Sequence, residues 1–343
     1  MKIYEIIIKK KLFIFIMLPA SALIIFLLVL CCYSFSSIDR NNTTVDVEIP
    51  TGTSFFRATE ILKKAGLVKN RFLFYSLAIA KRARRLIRAG EYEFSTSMTP
   101  SALMDKLLHG DTKKYPVTIP EDYTMEQIAA RLLKDKLISE NDFFDLAEDQ
   151  AFIRSLGINA ETLEGYLFPE TYNLERSMTT RQILRMMVNQ FWKKVTPEMI
   201  AKAAAMGLST HQFVTLASMV GKESSVSSEK PLISAVFHNR LKKGMRLQSD
   251  PTAVYDLENF KGKVLRSHLK RNSPYNTYVI SGLPPGPIAN PGLDSLKATL
   301  EPEAVNYLYF VSKGDGSHFF SASMDMHIEA ISRFRNTRIK SNK

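Results

Sequence analysis

At 343 residues the chain has room for about two domains, and 45% hydrophobic with 23% charged residues is the balance of a folded protein, not a disordered one. Its 46 basic against 34 acidic residues leave a net charge of +12, which suits acidic partners such as anionic lipid headgroups or a polyanionic polymer. Both cysteines, Cys31 and Cys32, lie in one apolar stretch, so the rest of the chain has no disulfide framework, and a core of this size needs none.

Residues 1–11 form a basic tail, with Lys2, Lys9, Lys10 and Lys11 set against Glu5. From Leu12 to Tyr33 no side chain is charged. At 1.5 Å per residue this run reaches about 33 Å, enough for a hydrocarbon core of about 30 Å, and a single transmembrane helix is expected. No small-residue cleavage site follows Leu30, so the helix reads as an uncleaved anchor. The positive-inside bias places the tail in the cytoplasm and the rest of the chain outside the cytoplasmic membrane, where nucleic acid is not an expected partner.

Residues 34–44, with Asn41, Asn42, Thr43 and Thr44, read as a polar linker. An internal repeat follows at an offset of about 70 residues. Val47-Glu-Ile-Pro50 leads to Ile61-Leu62 and Leu67-Val68, and Val117-Thr-Ile-Pro120 leads to Leu132-Leu133 and Leu137-Ile138. Each copy predicts a short strand stopped by proline, then a turn, then an amphipathic helix, and together they suggest a small α+β module. Thr53 or Ser54 is the expected cap in the first copy. In the second it is Thr124, with Gln127 completing a capping box.

Between the copies, 72–88 is expected to be helical and to end in the basic run Lys81-Arg-Ala-Arg-Arg-Leu-Ile-Arg88, which is either a grip on headgroups or glycan carboxylates or a solvated face. Gly90 to Phe94 alternates like a strand. Thr99-Pro100 opens a helix that Gly110 closes. The pattern from Asn141 to Leu156 is helical. Leu163-Glu-Gly-Tyr-Leu-Phe-Pro-Glu-Thr-Tyr172 is then dense in aromatic rings interleaved with Glu164 and Glu170. Such rings stack on pyranose faces while carboxylates hold hydroxyls, which makes Tyr166 and Glu170 candidate substrate-binding residues. Core packing explains such clusters equally well.

The stretch with the most chemistry is Phe213 to Ser225. Phe213, Leu216, Ala217 and Val220 recur at helical spacing, which predicts one buried face. Glu223 falls about 20° from Leu216 and so on the flank of that face. Partial burial and the negative end of the helix dipole should both raise its pKa, and an acid protonated near neutral pH is what protonation of a glycosidic oxygen needs. A surface residue beside Lys222 is the plain alternative. Further on, Ser228 is the expected cap of a helix with Pro231 in its first turn, and Asp250 that of a short helix beginning at Pro251. The loop 282–288 is rich in Pro and Gly, 307–320 reads as a hairpin, and 324–340 as a closing helix. Six scattered histidines with no His-x-x-x-His spacing predict no metal site, and no Walker, dinucleotide or Gly-x-Ser-x-Gly pattern predicts a cofactor or a serine nucleophile.

Taken together, Leu163 to Tyr172, Ala217-Ser-Met-Val-Gly-Lys-Glu223, Val236-Phe-His-Asn-Arg-Leu241, Gly244-Met-Arg-Leu-Gln-Ser-Asp-Pro-Thr252, Tyr275-Asn-Thr-Tyr278, Gly282-Leu-Pro-Pro-Gly286 and Pro291-Gly-Leu-Asp-Ser-Leu296 resemble the endolytic murein transglycosylases, the MltG or YceG-like family. The resemblance covers roughly Val45 to Arg335. It implies a LysM-like α+β module at 45–115 and a larger mixed α/β catalytic domain at 160–343; with the transmembrane helix expected at 12–33 and the second strand–helix copy and a connector at 116–159, the whole reads as an α+β protein. It also implies peptidoglycan as substrate and cleavage between N-acetylmuramic acid and N-acetylglucosamine to a 1,6-anhydro end, while partners among the peptidoglycan synthases or division proteins stay open at the level of sequence.

The family's catalytic glutamate, the last residue of a Ser-Ile-(Ile/Val)-Glu-Lys-Glu pattern, lands on Glu223, while Gly221 stands where the family often carries a second glutamate. Gln248, Asp250, Tyr275 and Asn276 are expected to line the groove, with Asp250 as a cap and Tyr275 as packing the structural alternatives. Asp250, Glu170 and Asp294 are the motif carboxylates open to a second role, which a hydrolase of the muramidase type would require. A non-catalytic wall-binding scaffold is the third reading.

Overall fold

The computed structural model describes residues 2–39, 41–83, 87–258, 260 and 262–341. It divides into two compact units, Met1–Tyr115 with Glu175–Ser177, and Pro116–Leu174 with Met178–Lys343.

The first unit begins with α1 (Lys2–Phe35), within which Phe15–Phe35 is long and apolar enough to cross a membrane. β1 (Thr44–Ile49), α2 (Phe55–Lys64), α3 (Arg71–Ala80), β2 (Gly90–Ser95) and α4 (Pro100–His109) follow. β1 and β2 pair antiparallel with Val47 opposite Tyr92. Alternation puts Val47, Ile49, Tyr92 and Phe94 on one face, where they meet Leu62 of α2 and Phe74 of α3 in a common core. The caps are as the sequence suggests: Ser54 accepts from the Arg57 amide, Thr99 accepts from Ala102, Pro100 sits in the first turn of α4, and Gly110 ends it at φ +67°. One expectation is corrected. The helix predicted over 72–88 stops at Ala80, where Lys81 turns to Ser101 and Asp105. Residues 84–86 of the basic run lie outside the described residues.

In the second unit come β3 (Tyr115–Thr118, from Pro116 onward), α5 (Met125–Lys134), α6 (Glu140–Ala147), α7 (Gln150–Ser155), β4 (Thr171–Leu174), α8 (Thr180–Lys194), α9 (Pro197–Ala205), α10 (Thr210–Glu223), α11 (Lys230–Lys242), α12 (Leu293–Leu300), β5 (Tyr309–Ser312), β6 (His318–Ser321) and α13 (Met324–Ser341). The repeat is visible as β1–α2 and β3–α5, and the Thr124–Gln127 capping box is formed, but the two copies fall in different units, β3 pairing with β4. The hairpin aligns Phe310 with Phe320. Among the described residues sheet is confined to two-stranded pieces, so this unit is mainly helical.

Its centre is α10. The spacing predicts one buried face, but every residue from Phe213 to Gly221 is buried, because α9, α11 and α12 all pack around the helix. The polar residues this encloses are satisfied: Thr215 donates to the His211 carbonyl and Ser218 to that of Thr215, while the Ser218 hydroxyl accepts from the Ile288 amide. That last bond fastens the Pro- and Gly-rich loop to the helix. Two other expectations change. α11 starts at Lys230 with no side-chain cap, Ser228 lying in a 3-10 turn before it. Asp250 opens a 3-10 turn that it does not cap.

Candidate functional site

Glu223 is the last residue of α10. The helix is fixed at its start by a Ser209–Gln212 capping box and ends where Ser224 turns extended. The Glu223 carboxyl keeps part of its surface open while protein atoms crowd the rest, and that desolvation pushes its pKa up to about 7. The nearby Asp250 charge acts in the same direction. A hydrogen bond from Ser249 and the Arg240 charge oppose it. The cause is thus mainly burial, with no need of the helix-end dipole. The Ser249 hydroxyl donates to Oε1 at 2.5 Å, and among the described residues Oε2 receives no hydrogen bond.

Ser249 is held as tightly as the helix. Its amide donates to the Thr277 hydroxyl at 2.9 Å, the Thr252 hydroxyl donates to the Ser249 carbonyl at 2.6 Å, and the two threonine hydroxyls lie 2.8 Å apart. Arg240, buried and lying over the Tyr309 ring, donates to the Leu247 and Leu308 carbonyls and so clamps the strand-like run before Ser249. Beyond it, Asp250 accepts from the Tyr278 hydroxyl at 2.5 Å; burial raises the pKa of that phenol, and the bond to Asp250 adds to it.

A cleft of about 790 Å³ runs beside these residues. Its walls include Lys222 and Asp250, the chain neighbours of Glu223 and Ser249, three further acids in Glu126, Glu140 and Glu258, and apolar surface from Phe144, Pro251, Val254, Tyr255, Leu257 and Ile288. Apolar faces with a few polar groups are the usual make-up of a ligand site.

The other candidates separate. Gln248, exposed at φ +50°, lies within reach of Arg240, and Asp250 lines the cleft, so both stand next to Ser249. Tyr275 is half-buried against Tyr255, with rings 4.7 Å apart. Asn276 is buried; its amide donates to the carbonyls of His268, Leu269 and Arg271 and its oxygen accepts from the Tyr278 amide, so it pins a loop. The aromatic platform is likewise core: Tyr166, Phe168 and Tyr172 are buried, and Tyr166 pairs with His211 Nδ1 at 3.0 Å. Glu170 faces Gln190 and Lys194, and Asp294 is exposed at the start of α12. Of the three motif carboxylates, Asp250 is the one whose charge acts on Glu223.

Three residues were not singled out. Ser249 is legible only in part: Met245, Leu247 and Ser249 alternate with Arg246, Gln248 and Asp250, which marks 249 as an inward position without saying what it meets. Glu164, 3% exposed, accepts from the Met125 amide, the Tyr255 hydroxyl at 3.0 Å and the Asn290 amide at 2.7 Å; burial pushes it, too, up to about 7. Asp122, at φ +61°, has its carboxylate against Gly221, where any Cβ would collide with it. No signal in the sequence places position 122 beside position 221. Among the described residues no group of three or more His, Cys, Asp or Glu is gathered to hold a metal ion.

A family model described as the YceG-like family matches residues 47–333. The chain belongs to the YceG-like family. The matched span takes in every motif named above and begins after α1. Among curated YceG relatives, the endolytic murein transglycosylase of Bacillus subtilis (strain 168) is 32% identical over 317 residues, 87% of each chain. That of Streptococcus pneumoniae (strain D39) is 30% identical over 89% of this chain and 61% of its own length. A crystal structure of a yceG-like protein from Listeria monocytogenes, 32% identical, superposes with a TM-score of 0.59 over 83% of this chain and 98% of the other.

Proposed function

We propose that this chain is a membrane-anchored lytic transglycosylase that cleaves the bond between N-acetylmuramic acid and N-acetylglucosamine within peptidoglycan strands and leaves 1,6-anhydro ends, limiting nascent strand length. The observation that carries the reading is Glu223: a carboxyl raised to about 7, held by Ser249 through one oxygen only, next to a cleft large enough for sugar rings. The names of the relatives support the same substrate and reaction.

The chemistry needs one carboxyl group. Protonated Glu223 donates to the leaving glycosidic oxygen as the C1–O bond breaks. As carboxylate it then accepts the proton of the muramoyl C6 hydroxyl, whose oxygen closes on C1. The nucleophile belongs to the substrate, so a second carboxylate at fixed separation, which hydrolysis by inversion or retention requires, has no task. A pKa near 7 serves both halves of the cycle. Ser249 keeps the carboxyl oriented through Oε1, so proton transfer falls to Oε2. Asp250 disfavours the charged form before catalysis, and Arg240 limits that effect.

In the same proposal α1 crosses the cytoplasmic membrane with the basic tail inside, supported by its length, its apolar run and the lysines before it. The β1-α2-α3-β2 unit is taken as LysM-like, supported by its small size and single two-stranded ribbon. The net charge of +12 suits an anionic wall polymer and anionic lipid. Digestion of purified glycan strands by the wild type and by Glu223→Gln, followed by mass spectrometry, tests the function. Anhydro ends made only by the wild type are the expected result. Reducing ends would identify a hydrolase, and equal products from both proteins would mean that Glu223 is not the acid.

A further inference from the structure

The length of α1 left free by the first unit determines how deep that unit sits; the argument rests on the reading of α1 as a membrane-crossing helix. In sequence the apolar run starts after Lys11. From Leu12 to Ile25 a helix rising 1.5 Å per residue covers about 21 Å, whereas the hydrocarbon core is about 30 Å thick. The missing length, about 9 Å, must come from the next two turns.

Those turns are not free. Phe26, Leu30, Tyr33 and Ser34 recur on one face of α1, and that face is covered by the unit itself. Leu30 is 9% exposed within the core that includes Phe74 and Leu77. The Phe26 ring meets Phe72 edge-on at 6.0 Å, and the Tyr33 hydroxyl donates to the Asn70 carbonyl at the start of α3. Whatever touches Phe26 therefore lies below the hydrocarbon boundary. The element that touches it suits that place. α3 is Arg-Phe-Leu-Phe-Tyr-Ser-Leu-Ala-Ile-Ala, a short apolar helix with no charge after its first residue. Phe72 (66% exposed) and Ile79 (48% exposed) are seven residues apart and so share its outward face. Lys69, Arg71 and Lys81 flank the helix at its two ends, although each already has a partner within the unit, Lys69 the Ile38 carbonyl, Arg71 Glu60 and Lys81 Asp105, so the apolar face itself carries the contact.

We infer that the Phe72–Ile79 face of α3 is a membrane contact, inserted among the acyl chains of the leaflet on the side of the folded units. The first unit is then seated in the bilayer instead of hanging from it by a linker. The partner is a phospholipid surface. The face is continuous with α1, which the same lipids must surround.

The test uses the full-length protein with Cys31→Ser and Cys32→Ser, carrying one added cysteine at a time (Leu23→Cys, Phe72→Cys or Ile79→Cys) labelled with an environment-sensitive fluorophore. The protein is reconstituted into phosphatidylglycerol and phosphatidylethanolamine vesicles with or without lipid spin-labelled on its acyl chains. Labels at 72 and 79 are expected to lose fluorescence to the spin-labelled lipid as the label at 23 does, and to resist aqueous iodide. Quenching at 23 by lipid, with 72 and 79 quenched by iodide, would overturn the seat and leave the anchor standing. If 72 and 79 were shielded from both quenchers, another protein or a second copy would cover the face, which also overturns the inference. Loss of lipid quenching at 23 as well would remove the anchor reading itself.

Discussion

Two glutamates of the second unit invite comparison, one fully buried and one partly open. Glu164 and Glu223 are both raised to about 7, and burial is the main cause in each. Their surroundings differ. Glu164 collects donors on both oxygens from Met125, Tyr255 and Asn290, and thereby ties the start of α5, the 163–172 loop and the proline-rich loop together. Glu223 has one donor on one oxygen and a cleft beside it. A displaced pKa therefore does not by itself mark the reacting group. What separates a structural carboxyl from a chemical one is how much of its hydrogen-bonding capacity is already used.

The comparison can be broken most directly at Glu223. Glu223→Gln should reduce strand cleavage by about 10²–10⁴-fold, the range for loss of a general acid–base group, while thermal unfolding followed by circular dichroism still shows a cooperative fold. The same variant should flatten part of the pH dependence of stability. Between the ordinary glutamate value near 4.5 and about 7 the folded chain holds a proton that the unfolded chain has released, so stability falls as pH rises through this window. Glu164→Ala should do the reverse of an active-site change. It leaves three donors without an acceptor and should lower unfolding free energy by about 3 kcal/mol in a urea titration, with activity lost only as the fold is lost.

Gly221→Ala is a smaller perturbation. The new methyl meets the Asp122 carboxylate, and overpacking of this kind costs about 1–3 kcal/mol, offset in part by the better helix propensity of alanine. The finest test uses two neighbours with opposite signs. Ser249→Ala removes a bond that favours the charged form of Glu223 and should move the alkaline limb of the pH–rate profile upward. Asp250→Asn removes a charge that disfavours it and should move the limb downward. Shifts of the same sign would contradict the electrostatics described here.

Local features of the fold were readable because they are encoded locally. Ser54, Thr99 and Thr124 cap as their spacing says, Gly110 ends its helix, and the Phe310–Phe320 hairpin follows from alternation around Gly314 and Gly316. What was misread depends on packing between distant segments. Tyr166 looks the same in sequence whether it faces a sugar or a core, and only the arrival of His211 and Phe191 decides it. Asn276 likewise reads as a groove amide until three carbonyls of its own loop close on it. Within the site, helical phase is enough to mark Glu223, while the partner of Glu223 at 249 depends on a segment that meets it from 26 residues away.

The contact between Gly221 and Asp122 has an evolutionary corollary. Two positions about a hundred apart in the chain compete for one volume, so each constrains what the other can be. A glutamate placed at 221 should be tolerated better with glycine or alanine at 122 than with Asp122 in place. The easier route from one pair to the other then runs through an intermediate with the small residue at both sites.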